Sequence, residues 1–248
     1  GKDVILDLAG YTISGTDTTS KNFGLINNNG TLTINDSVGT GAIKLEATVN
    51  SGWNRYSAVI SNNPGGTLVV NGGLIEHLGG TDMAYGIDSL TNGDATFAYV
   101  TINGGTIKST YRGIRQFLNG NSTDIANNLL TINGGRVEGE DKAIFFHAPS
   151  SKKPSSGTLV IGANAEIYGD IYLFVTAGST EWNVEVSIEA VALKDGSEVV
   201  DKNLPDNCKV ANVNGVYSKV ERFNVAQVGN VKFETVADAL AYAQENNM

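Results

Sequence analysis

Short runs with apolar residues at every second position recur along the chain: TLTINDS at 31–37, TLVVNGG at 67–73, YVTINGG at 99–105, LLTINGG at 129–135 and TLVIGAN at 158–164. In a strand, successive side chains face opposite sides. Leu32 and Ile34, Leu68 and Val70, Val100 and Ile102, Leu130 and Ile132, and Leu159 and Ile161 therefore share one face, which fills an interior. Between them Thr33, Val69, Thr101, Thr131 and Val160 make an outer row of mostly β-branched residues, suited to a flat pleated surface. The aligned positions Asn35, Asn71, Asn103, Asn133 and Gly162 are 36, 32, 30 and 29 residues apart, so a constant unit carries loops of variable length. VILDLAGYTI at 4–13 reads as a degenerate first copy with Ala9 in the Asn place.

Each unit continues in the same order. A Gly-rich bend leads into a short strand centred on Ile13, Ile43, Ile75, Ile107, Val137 or Ile167. After a variable loop, a third strand opens on a small residue and an apolar one: Gly24-Leu25, Ala58-Val59, Gly86-Ile87, Gly113-Ile114, Ala143-Ile144 and Asp170-Ile171. Three strands per unit close one triangular coil. The pattern predicts an all-β fold, a right-handed single-stranded parallel β-helix with three strands per coil and about six coils over residues 1–180. At an interstrand spacing of about 4.8 Å, six coils make a rod roughly 30 Å long.

Two rows set the register of stacking. On the second strand, the residue after the apolar one runs Ser14, Lys44, Glu76, Lys108, Glu138, Tyr168, so opposite charges alternate between adjacent coils and a slip of one coil puts like charge over like. At the bend, the amides of Asn35, Asn71, Asn103 and Asn133 can each bond the copy one coil away, and Asn tolerates a left-handed backbone. Both rows are expected to be structural ladders.

The motif is lost after residue 180. Residues 181–224 still alternate like strands, with Gly196 and Gly215 as expected hairpin turns, and read as a β-rich extension. Residues 225–248 read as a short strand followed by an amphipathic helix, with Val236, Ala239, Leu240 and Ala243 at helical spacing and Thr235 near its start. That segment is expected either to cover the end of the coil stack or to open a following domain.

Composition narrows the function classes. Thirty glycines against four prolines fit many tight turns, and a net charge of −9 without a Lys/Arg cluster argues against a nucleic-acid partner. The single cysteine, Cys208, excludes an internal disulfide framework and is expected to be an inert buried residue. No apolar stretch is long enough to span a bilayer within this segment.

At this point the residues support a resemblance. DLAGYTISG, LTINDSVGTGAI, TINGGTI and VAQVGNVKFETVADALAYA look like the pectin-lyase-like right-handed parallel β-helix repeats of large surface, adhesin-like proteins from gut bacteria. The resemblance covers most of the chain. It implies an extracellular, cell-surface location, further domains on the same polypeptide, and glycans or host surface proteins as partners. In such proteins a segment like VAQVGNVKFETVADALAYA commonly begins another β-helix.

Enzymes sharing this architecture cleave acidic polysaccharides, with Asp and Lys/Arg clustered around calcium or with Asp side chains on adjacent coils. Here the carboxylates are scattered: Glu76, Asp82, Asp88, Asp94, Asp124, Glu138 and Asp141. The outer row of the third strand reads Ile26, Ile60, Asp88, Arg115, Phe145, Tyr172, beside Phe23, Ser57, Tyr85, Arg112, Lys142. Asp88 and Arg115 are expected to pair between neighbouring coils. This face, with Trp53, Arg55, Tyr56, Tyr85, Asp88, Tyr111, Arg112 and Arg115, is the candidate binding surface, because aromatics beside Arg and Asp can stack on sugar rings and bond their hydroxyls or carboxylates. His77, Phe117 and His147 are placed in its adjoining loops. No metal site or cofactor motif is expected. The leading expectation is a non-catalytic β-helical scaffold or spacer with adhesin-type binding. The alternative is a polysaccharide lyase or glycoside hydrolase acting on acidic polysaccharide through Asp82, Asp88 and Arg115.

Overall fold

The alternating runs pair in parallel, each with its copy one unit away. A computed structural model describes residues 2–19, 21–48, 56–80, 83–93, 96–120, 126–148, 156–175, 182–204, 208–221 and 226–246. The parallel sheets form a β-solenoid of about five turns, with a single terminal helix.

On the first face, Asp3–Asp7, Thr31–Asn35, Thr67–Val70 and Tyr99–Ile102 stack in turn onto the leading part of Ala126–Gly139. On the second, Thr12–Asp17, Ala42–Ala47, Leu74–Gly79 and Thr106–Ser109 stack onto the trailing part of that same strand. Ala126–Gly139 and Ser156–Tyr168 each run through the bend without a break, so these two faces belong to one 14-stranded sheet. The third face is a separate 7-stranded sheet from Phe23–Asn28 to Val199–Lys202.

The core is one aliphatic column per face. Leu68, Val100, Leu130 and Leu159 line the first, Ile43, Ile75, Ile107, Val137 and Ile167 the second, and Ile60, Ile87, Ile114, Ile144 and Ile171 the third. All of these are fully buried, and each contributes about 1.5–3 kcal/mol relative to exposure. Inside the third corner the column turns polar: Asn28 donates to Asn62 Oδ1 at 2.8 Å, and Asn62 reaches Ser89 Oγ at 3.3 Å and the Tyr99 carbonyl at 3.0 Å.

At the outer bend, Asn71 donates to Asn35 Oδ1, Asn103 to Asn71 and Asn133 to Asn103, each at 2.8 Å. Two details differ from expectation. Asp7, not Ala9, stands opposite Asn35, because Leu6 rather than Leu8 pairs with Ile34. The left-handed backbone falls on the second glycine after the Asn, at Gly73, Gly105 and Gly135, and in the first coil on Ala9 and Gly10. A Cβ at Gly105 would lie 2.5 Å from the carbonyl oxygen of Gly73, so the stacked bends approach too closely for a side chain there. On the second face, Lys44 pairs with Glu76 at 2.9 Å and Lys108 with Glu138 at 3.0 Å.

The ladders run one rung past the sequence motif. Asn183–Glu189, Leu193–Lys194 and Val199–Lys202 pair in parallel with the preceding coil. Asp195 and Gly196, at positive φ, turn the corner between two of these parallel strands and do not close a hairpin. Asn214 and Gly215 do, joining Cys208–Val213 to Val216–Glu221, which adds antiparallel to the edge of Asn183–Glu189. Parallel stacking ends on that face. The helix Val236–Glu245 is capped by Thr235, whose Oγ1 accepts the Asp238 N–H at 3.0 Å. It packs on the small hairpin Ala226–Val228 and Val231–Phe233, with Phe233 and Tyr242 rings 5.2 Å apart. No helix among the described residues is long and apolar enough to cross a membrane.

Candidate functional site

The third sheet is registered by isoleucines. Ile26, Ile60, Ile87, Ile114, Ile144 and Ile171 stand opposite one another, and the residue after each points outward. The outer column is therefore Asn27, Ser61, Asp88, Arg115, Phe145 and Tyr172. The expected row put Ile26 and Ile60 beside Asp88. The small residues Gly24 and Ala58, on which the first coils were aligned, sit one position ahead of Gly86 and Gly113. By the same shift, Tyr85 and Arg112 follow Ala58, while Ser57 pairs with Ala84.

Asp88 and Arg115 are cross-strand neighbours and form a bidentate pair, Nε to Oδ1 at 2.6 Å and Nη2 to Oδ2 at 2.7 Å. Their side chains are only 3% and 9% exposed. The guanidinium lies 4.5 Å from the Tyr85 ring centre, 5.2 Å from Phe117 and 5.9 Å from Tyr56. Burial pushes the Tyr85 phenol up to about 12, and its hydroxyl donates to Met83 Sδ. Burial alone would lower the Arg115 pKa, but the Asp88 carboxylate more than offsets this and holds the guanidinium charged. The two charges satisfy each other within the protein, which leaves neither group poised to act on a substrate.

Three residues before Arg115 on the same strand, Arg112 is fixed differently. Its Nε donates to Asp141 Oδ2 and its Nη2 to the Tyr111 hydroxyl, both at 2.8 Å. The guanidinium lies 4.0 Å from the Phe145 ring centre and 4.5 Å from that of Tyr111. Lys142, directly opposite Arg112, donates to the other oxygen of Asp141 at 2.7 Å and lies 4.7 Å from the Tyr172 ring. Two cations thus share one carboxylate.

Beside them runs an aromatic patch. Phe117, His147 and Phe174 form a third outer column, with ring centres 4.9 Å and 5.0 Å apart. Phe145 lies 5.2 Å from His147 and 6.1 Å from Tyr172, and Tyr172 stacks with Phe174 at 6.4 Å. All five are partly exposed. Burial among these rings, with the nearby charges of Arg115 and Arg112, lowers the His147 pKa to about 4, so the imidazole is neutral at neutral pH.

Tyr56, Tyr85, Asp88, Tyr111, Arg112 and Arg115 are thus gathered on one face, while Trp53, Arg55 and Asp82 lie outside the described residues. The two histidines are strand residues, not loop residues. His77 is buried within Leu74–Gly79, its Nε2 3.0 Å from Ser57 Oγ, and His147 lies in Lys142–Ala148. No ligand role was expected for Asp141, Lys142, His147 or Phe174. The available signal was period two continued past the isoleucines, Phe145 and His147 after Ile144, and Tyr172 and Phe174 after Ile171. Elsewhere, a shallow groove of about 430 Å³ lies at the bend, lined by Gly41, Gly73, Gly105, Thr40, Thr106 and Lys44. No group of three or more His, Cys, Asp or Glu able to hold a metal occurs among the described residues. No family model, curated protein or solved structure matches the chain.

Proposed function

We propose that this chain is a non-catalytic module of a secreted bacterial surface protein of the pectin-lyase-like repeat type. In this reading the solenoid is a rigid spacer and its third face binds a glycan on an adhesin's target surface. The observation that carries it is the patch of Phe117, Phe145, His147, Tyr172 and Phe174, partly exposed and registered by strand pairing beside Arg112 and Lys142. Rings held on a stiff sheet offer sugar faces contact area at little cost in side-chain entropy.

The lyase or hydrolase alternative asks Asp88 and Arg115 to meet substrate. Their mutual bidentate pairing in a buried setting favours a structural role. Two measurements test the reading on the folded chain. On a glycan array, binding is expected and Phe174→Ala should weaken it by about tenfold, equivalent to about 1.4 kcal/mol of lost ring contact. Incubation with uronate polymers should release no unsaturated or reducing sugar. Turnover that disappears in Arg115→Ala, with the fold intact by circular dichroism, would establish the enzyme instead.

A further inference from the structure

The distribution of charge on this face selects among glycans, an inference that rests on the binding reading above. A chain of net charge −9 places two cations, Arg112 and Lys142, opposite each other on adjacent coils, against the single carboxylate of Asp141. The Arg112 Nε and Nη2 are engaged, while Nη1 has no partner among the described residues; the Lys142 ammonium makes one hydrogen bond, leaving donors over. Among the described residues, the two cations thus share one carboxylate, an excess of one positive charge. Arg115 adds nothing, being consumed by Asp88.

Among the described residues, no such cation follows on the outer positions of this face until its far edge. The outer positions next to the cations are Phe145, Tyr172 and Phe174, with the neutral imidazole of His147, and Lys202 stands across from Phe174. A polyuronate carries a carboxylate on every ring, and laid over this patch it would set several of them against aromatic surfaces with no partner. We propose that the face takes a sparsely charged glycan: neutral sugar rings on the Phe145, His147, Tyr172 and Phe174 patch, and one carboxylate or sulfate held by Arg112 and Lys142.

The test uses immobilised oligosaccharides in matched sets: one neutral chain bare, the same chain with a single terminal sialic acid, and the same chain with a single sulfate, beside oligogalacturonates. The singly charged members should bind about tenfold more tightly than the bare chain, the effect of one charge-assisted hydrogen-bond pair, and more tightly than the oligogalacturonates. Sialic acid against sulfate separates the two anion chemistries. Lys142→Gln and Arg112→Gln should each remove most of that advantage, read as the ratio of charged-chain to bare-chain affinity within each variant. Equal binding of bare and charged chains, preference for oligogalacturonate, or an advantage that survives both substitutions overturns the inference and leaves the binding reading standing. Failure of every set to bind the folded protein overturns both.

Discussion

Asp88 and Arg115 show how one pair of residues can carry two opposed readings until its geometry is known. As neighbours on adjacent coils they suit a catalytic couple, yet as a buried bidentate pair each chiefly neutralises the other. Removing one partner strands a charge, so Arg115→Met should lower stability by about 3–5 kcal/mol, read from the urea midpoint, while Asp88→Leu with Arg115→Met should recover much of that loss. His147 makes a prediction about acid. Its folded pKa of about 4 lies below the ordinary value of 6.5, so between those values the unfolded chain binds more protons and stability falls as pH drops. The loss through that window is on the order of 3 kcal/mol, and thermal melts of His147→Leu between pH 7 and 4 should lack it.

At the level of the strand and bend, the amide ladder assigns unequal roles to identical residues. Asn103 both donates and accepts, whereas Asn133 only donates, since Gly162, which follows Ile161 on the next coil, has no side-chain amide to offer it. Asn103→Ala should therefore cost about 1–2 kcal/mol and Asn133→Ala about half as much, by chemical denaturation. Strand order, the aliphatic columns of the first two faces and the Asn and Lys–Glu rows were legible in the sequence because each repeats at a fixed offset from an apolar anchor. The errors arose where that anchor was ambiguous. Gly24-Leu25-Ile26 offers two small-apolar frames, and only pairing with Ile60 selects one. The face was recognisable from Tyr85, Arg112 and Arg115, with Phe145 and Tyr172 in its outer row, but His147 and Phe174 were not assigned to its surface. Phe145, His147, Tyr172 and Phe174 belong to different repeats, and strand alternation alone does not say whether such rings serve packing or binding.

Over the whole molecule, stability is spread along a line, each coil resting mainly on its neighbours. Ile107, fully buried with coils on both sides, should cost about 3 kcal/mol when replaced by alanine, while Ile13, 37% exposed on the first coil, should cost less than about 1 kcal/mol by the same urea assay. The line also has a direction. The amides of Asn71, Asn103 and Asn133 each hand a hydrogen to the coil before, and at the head of the column Asp7, a carboxylate that when ionised can only receive, takes the backbone N–H groups of Ala9 and Ser37. In a polypeptide emerging N-terminus first, each acceptor on the ladder therefore precedes its donor in the chain.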